Sequence, residues 1–171
     1  MNKKIKIALI SILGLLLVGL AIFFYLFFSS RYIVFDKKII VNRSTTEVWQ
    51  DFSFAFSDST KTDFWPKNLS IIKSTGLRKN APMQVDYFMG KSKTSVQYVI
   101  TDLVIGQKIE YQTNDDHPLI GMGAIYFVDQ GNKTQINWKG EFGLQDFSLA
   151  GIYVKYYYLN NFFETLQKNL Q

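Results

Sequence analysis

The sequence predicts an α+β domain in which one antiparallel sheet is closed by one long helix, all carried behind a single apolar span. Three patterns in the 171 residues predict it. Ile7 to Phe28 runs for 22 residues without a charge. From about Leu69, apolar residues recur at every second position, the period of a strand. From Leu149 to Leu170 they recur at helical spacing.

The span comes first. As a helix, 22 residues reach about 33 Å, against a hydrocarbon thickness of roughly 30 Å. Its whole circumference is apolar, unlike a helix that lies on a membrane surface. A secretory signal peptide is the rival reading, because Lys3, Lys4 and Lys6 make a basic leader. The apolar run is longer than the usual 7–15 residues, however, and Phe27-Phe28-Ser29-Ser30 has no small-residue cleavage site. The expectation is a basic tail over 1–6 and an uncleaved, single-pass anchor over 7–28, with the lipid bilayer as partner through Ile7 to Phe28. Basic residues flank both ends about equally. The N-terminal lysines lie closer to the span, which favours a cytoplasmic tail and an extracytoplasmic domain.

Residues 29–35 read as a short connector and 36–171 as one domain, with no linker or repeat inside it. Lys37-Lys38-Ile39-Ile40-Val41 reads as a β-branched strand. Ser44-Thr45-Thr46-Glu47 has the spacing of a capping box, and Val48, Trp49, Phe52, Ala55 and Phe56 then form one helical stripe. Trp65-Pro66 closes a second short helical piece. Period-two runs follow at Met83-Val85-Tyr87-Met89, Val96-Tyr98-Ile100, Ile109-Tyr111-Thr113 and Ile136-Trp138-Gly140-Phe142. Gln130-Gly131-Asn132-Lys133 reads as a hairpin turn with a residue at positive φ. By parity, Asp86 and Glu110 face water. In the last helix, Leu149, Ile152, Tyr153, Tyr156, Phe163, Leu166 and Leu170 make the apolar stripe. Tyr156-Tyr157-Tyr158 spreads rings around a full turn, so at least one must leave the core. Such a ring suits a bilayer headgroup region or a protein interface, against the plainer reading of ordinary surface exposure.

Composition removes much chemistry. The chain is 47% apolar and 16% aromatic, which is not the composition of a disordered segment. It has no cysteine and one histidine, so disulfides, thiolate nucleophiles, Cys-based zinc sites and multi-histidine cages are excluded. Of the 19 basic residues three precede Ile7, and all 14 acidic residues follow Phe28, leaving residues 29–171 at a net +2. That is no nucleic-acid footprint, and no nucleic-acid partner is expected. Asn114-Asp115-Asp116-His117-Pro118 is the densest group of ligand and acid–base side chains, but its residue types are also those of a turn between strands. Gly121-Met122-Gly123 lacks the Lys-Ser/Thr of a phosphate loop. Three Asn-x-Ser/Thr triplets, at Asn42, Asn68 and Asn132, matter only in a eukaryotic secretory pathway. No catalytic set, metal or cofactor is expected.

The order of elements resembles a known superfamily. Ile39-Ile40-Val41-Asn42-Arg43-Ser44-Thr45-Thr46-Glu47-Val48-Trp49, then Phe64-Trp65-Pro66, then Lys133-Thr134-Gln135-Ile136-Asn137-Trp138 look like the START-like or SRPBCC group. This is also called the polyketide cyclase/dehydrase and lipid transport group, with the helix-grip fold of the birch-pollen allergen. The resemblance implies a curved antiparallel sheet of six or seven strands around the long C-terminal helix, with an apolar cavity between them. It also implies a hydrophobic or amphipathic small-molecule ligand, since members bind lipids, sterols, hormones or polyketides, while a minority are enzymes and some are co-chaperones.

The residues support a pocket independently. Predicted dry positions hold Tyr87, Tyr98, Tyr111, Tyr126, Trp138, Phe142, Tyr153 and Tyr157. A plain core would use Phe or Leu in place of so many tyrosines, whose hydroxyls need partners. Convergent tyrosines suit an apolar wall with polar handles, although the same rings could simply fill the core. The expected function is membrane-tethered binding of a lipid-like molecule. The alternatives are a chaperone-like interaction module with a closed core, or a cyclase or dehydratase.

Overall fold

The computed structural model describes residues 3–29, 31–57, 64–66, 70–89, 91–114, 119–144 and 149–171. It opens with α1, Lys3–Ser29, which contains one apolar helical span long enough to cross a membrane, Ile5–Leu26, none of it buried against the domain. Strand β1, Tyr32–Val41, follows at once. It pairs with β7, Thr134–Leu144, along its whole length, from Tyr32 opposite Gly143 to Val41 opposite Thr134. The segment expected to be a connector over 29–35 is therefore mostly strand. Ile33 lies in the core and Phe35 packs on it, a parity concealed in the sequence by the apolar outward residues Tyr32 and Val34.

Helix α2, Thr45–Ser57, starts where the capping box places it. The Ser44 backbone N–H donates to Glu47 Oε2 at 3.0 Å, and the Glu47 N–H donates to Ser44 Oγ at 3.4 Å. Two helix-terminal donors are thereby satisfied. The stripe Val48, Trp49, Phe52, Ala55 and Phe56 is buried as expected. Trp65 and Pro66 are buried outside any helix, and the residues on either side of 64–66 lie outside the described ones.

Five more strands complete the sheet: β2 Ser70–Ser74, β3 Pro82–Met89, β4 Ser92–Val104, β5 Lys108–Thr113 and β6 Leu119–Asp129. All seven strands are antiparallel, in the order β1-β7-β6-β5-β4-β3-β2. The β6–β7 hairpin turns at Gly131, φ 78°, with the Gln130 N–H donating to Lys133 O at 2.9 Å. Positive φ strains a side chain with a Cβ, which explains glycine there.

The C-terminal segment is three pieces. α3, Leu149–Tyr153, passes into a π-helical turn, Val154–Tyr158, and then α4, Leu159–Leu170. A π turn takes one residue more than an α turn, so it rotates the buried stripe. Tyr158, Phe162, Phe163, Leu166 and Leu170 face the sheet, whereas Tyr156, expected on the stripe, is exposed.

Candidate functional site

Alternation along the strands sends Tyr87, Tyr98, Tyr111, Trp138 and Phe142 to the inner face, where α4 and the π turn cover them. Tyr87 and Tyr98 lean toward one another along β3 and β4, and their hydroxyl oxygens hydrogen-bond at 2.7 Å. The Tyr98 ring meets Tyr111 edge-on at 5.6 Å and Phe142 at 6.2 Å. Trp138 Nε1 donates to Tyr111 Oη at 2.7 Å. From the helix side, Tyr158 meets Tyr87 at 5.6 Å, while Phe162 and Phe163 meet Trp138 at 5.6 and 5.4 Å. Gly123, opposite Tyr111 on β6, gives that ring its place: a Cβ there would run into the phenol.

Five of the eight residues expected to line the site are thus brought together. Tyr153 sits at the margin, half-buried, with its ring 5.0 Å from that of Tyr157. Tyr157 is 56% exposed. Tyr126 lies on the outer face, because its strand neighbours Ile125 and Phe127 take the inner one. In the run Ala124-Ile125-Tyr126-Phe127-Val128 both parities are apolar, so alternation could not choose between them. Tyr158 and Phe162 were missed because a constant α-helical period does not pass through the π turn. Counting back by fours from Leu170 reaches Leu166, Phe162 and Tyr158.

Burial raises the pKa of all three inner tyrosines. Tyr87 is pushed well above the usual phenol value, chiefly by desolvation and then by Tyr98. Tyr98 and Tyr111 are also raised by burial, against the lowering effect of the hydrogen bonds that Tyr98 makes with Tyr87 and Tyr111 with Trp138. These phenols are therefore neutral donors at physiological pH, not bases. Each carries one proton. One of the pair Tyr87 and Tyr98 donates to the other, and Tyr111 accepts from Trp138.

Asp86 and Glu110 lie elsewhere. Asp86 has the outward parity expected of it, yet only 2% of it is exposed. Gln84 Nε2 and Ser95 Oγ each donate to its Oδ1 at 2.7 Å, and Lys73 and Lys93 stand 3.4 and 3.5 Å from Oδ2. Burial raises its pKa, but hydrogen bonds from Gln84, Ser95 and Lys73 outweigh that and hold it at about 2. Glu110 is on the outer face as expected, bound to Lys108 at 3.1 Å. Of the Asn114 to Pro118 cluster only Asn114 is among the described residues. Among the described residues no group of His, Asp and Glu could hold a metal ion.

No protein-family model matches the chain, and no curated protein matches it in sequence. Solved structures do resemble it. Norcoclaurine synthase from Thalictrum flavum superposes with a TM-score of 0.56 at 12% identity, over 81% of this chain and 91% of that one. A protein of Rhizobium loti gives 0.60 at 14% identity, over 81% and 97%. Zhui aromatase/cyclase from a Streptomyces species gives 0.58 at 11% identity, over 81% and 88%. The chain shares the helix-grip α+β fold of these structures.

Proposed function

We propose that this protein binds an amphipathic, lipid-like small molecule between the sheet and the C-terminal helix, and does so held to a membrane by α1. The observation that carries the binding reading is the convergence of the Tyr87, Tyr98 and Tyr111 hydroxyls with Trp138 and Phe142 on one otherwise apolar face under the C-terminal helix. A ligand with an apolar body and a carboxylate, carbonyl or hydroxyl oxygen answers both needs of the site. Its body lies among Phe142, Phe162 and Trp138, and its oxygen accepts from Tyr111 or from the Tyr87–Tyr98 pair. The anchoring reading draws on the length, composition and exposure of Ile5–Leu26.

Two of the structural neighbours carry enzyme names, a synthase and an aromatase/cyclase. In this chain the buried carboxylate among the described residues, Asp86, faces away from the rings, and the raised phenols are not proton acceptors. These features favour holding a ligand over acid–base chemistry. Edge-to-face contacts among Tyr98, Tyr111, Trp138 and Phe162 favour a second reading, a closed core whose surface does the work.

The full chain in phosphatidylcholine vesicles, titrated with a fluorescent fatty acid, separates the two. Binding predicts a saturable one-to-one signal that Tyr98→Phe and Tyr111→Phe each weaken about five- to tenfold, the loss of one hydrogen bond. Absence of saturable uptake of fatty-acid, sterol and polyaromatic probes alike would leave the closed core.

A further inference from the structure

We infer that the end of the domain where α1 meets β1 is a membrane-contact face, so that the tyrosine site draws its ligand directly from the bilayer. The contact face rests on the proposed anchoring by α1, and the ligand's route on the proposed binding at the tyrosine site.

The junction allows little separation. α1 ends at Ser29 and β1 starts at Tyr32, with the Leu144 N–H donating to Arg31 O at 2.8 Å. Phe28, the last apolar residue of the span, and Tyr32 are at most about 14 Å apart, four residues of extended chain. The outer face of the sheet is apolar at this end. Its first row is Tyr32, Gly143 and Ile120, register neighbours across β1, β7 and β6, with the Tyr32 ring near the Gly143 backbone. The second row is Val34, Glu141 and Met122. Tyr32, Val34 and Met122 are 64–66% exposed. Glu141 is the one charge in these two rows. The third row turns ionic, with Lys139 bound to Asp36 at 3.1 Å.

The occupant that fits is a lipid surface. The patch lies within a few residues of a segment with bilayer dimensions, and a tyrosine with an apolar body and a polar tip suits the headgroup level. Exposed Tyr156 and Tyr157 belong to the π turn, which packs against β1. The β3–β4 turn points toward this end: Tyr32 and Ile120 both pair with Gly143, Thr113 bonds to Gly121 and pairs with Tyr98, and from Tyr98 the strand β4 leads back to that turn. Half-buried Tyr87, two residues before that turn, is thus the member of the tyrosine cluster nearest the bilayer.

The chain has no cysteine, so single cysteines can be labelled without background. We would label Ile120→Cys, Met122→Cys and Ile105→Cys with bimane in the full chain, reconstituted in phosphatidylcholine vesicles containing headgroup-spin-labelled lipid. Ile105 is exposed in the β4–β5 turn. Gln107, two residues on, accepts from the Phe127 N–H, about 23 Å along β6 from Ile120. A contact face predicts quenching at 120 and 122 several-fold stronger than at 105. Equal quenching at all three positions, in a chain that floats with the vesicles, overturns the contact face and leaves the anchor standing. A chain that does not float with the vesicles overturns both.

Discussion

Replacing Tyr111 with phenylalanine would leave the Trp138 indole N–H buried without its acceptor. A loss of about 1–3 kcal/mol is expected, read from urea unfolding followed by tryptophan fluorescence. Asp86 makes a prediction about pH. Its carboxyl is held at about 2 in the fold, below the unfolded value of roughly 3.9. The folded state therefore gains stability from it above about pH 4, on the order of 2 kcal/mol, and loses that gain as pH falls through about 2. Asp86→Asn should be less stable than the parent at pH 7 and should flatten the fall in unfolding free energy between pH 4 and 2. Strand parity was enough to put Asp86 on the outer face. Its burial under Gln84, Ser95, Lys73 and Lys93 depends on a register with β2 and β4 that no local pattern encodes.

Helix α2 and the β6–β7 hairpin are where local chemistry alone decides an element. The reciprocal bonds of Ser44 and Glu47 predict that Ser44→Ala costs about 0.5–2 kcal/mol in thermal or urea unfolding. Gly123→Ala tests a different kind of element contact, since the new Cβ would displace the Tyr111 phenol from β6. Overpacking of this sort costs about 1–3 kcal/mol, and the accompanying change in Trp138 fluorescence should separate it from a loss elsewhere in the sheet. The capping box, the stripe from Val48 to Phe56 and the turn at Gly131 were legible because each is specified within a few residues. The C-terminal helix was legible as a helix but not in phase. A helical wheel assumes one pitch, and the π turn over Val154–Tyr158 exchanges Tyr156 for Tyr158 at the sheet. The early start of β1 was hidden for a related reason: Tyr32 and Val34 are apolar yet outward, so the segment showed no alternation.

For the molecule as a whole, topology followed from pattern more readily than the site did. Consecutive runs of period two joined by short turns, then one helix long enough to cover a dry face, leave few arrangements open. Which rings meet depends instead on how far β3, β4 and β7 slide past one another, and the sequence constrains that only loosely. A ligand seated among those rings should stabilise the entire domain. At a free fatty-acid concentration near 100 times Kd, the unfolding free energy should rise by about 2.7 kcal/mol. A probe that binds the folded and unfolded chains equally would leave the denaturation midpoint where it was.

The abrupt passage from α1 into β1 also has a mechanical consequence. β1 is an edge strand bonded to β7 from Tyr32 to Val41, and its first pair lies just beyond the helix. A pull on α1 along the axis of β1 loads the ten pairs of that ladder together, in shear, instead of opening them one after another. The domain meets a force applied through its N-terminal helix with one of the longest continuous pairings in its sheet.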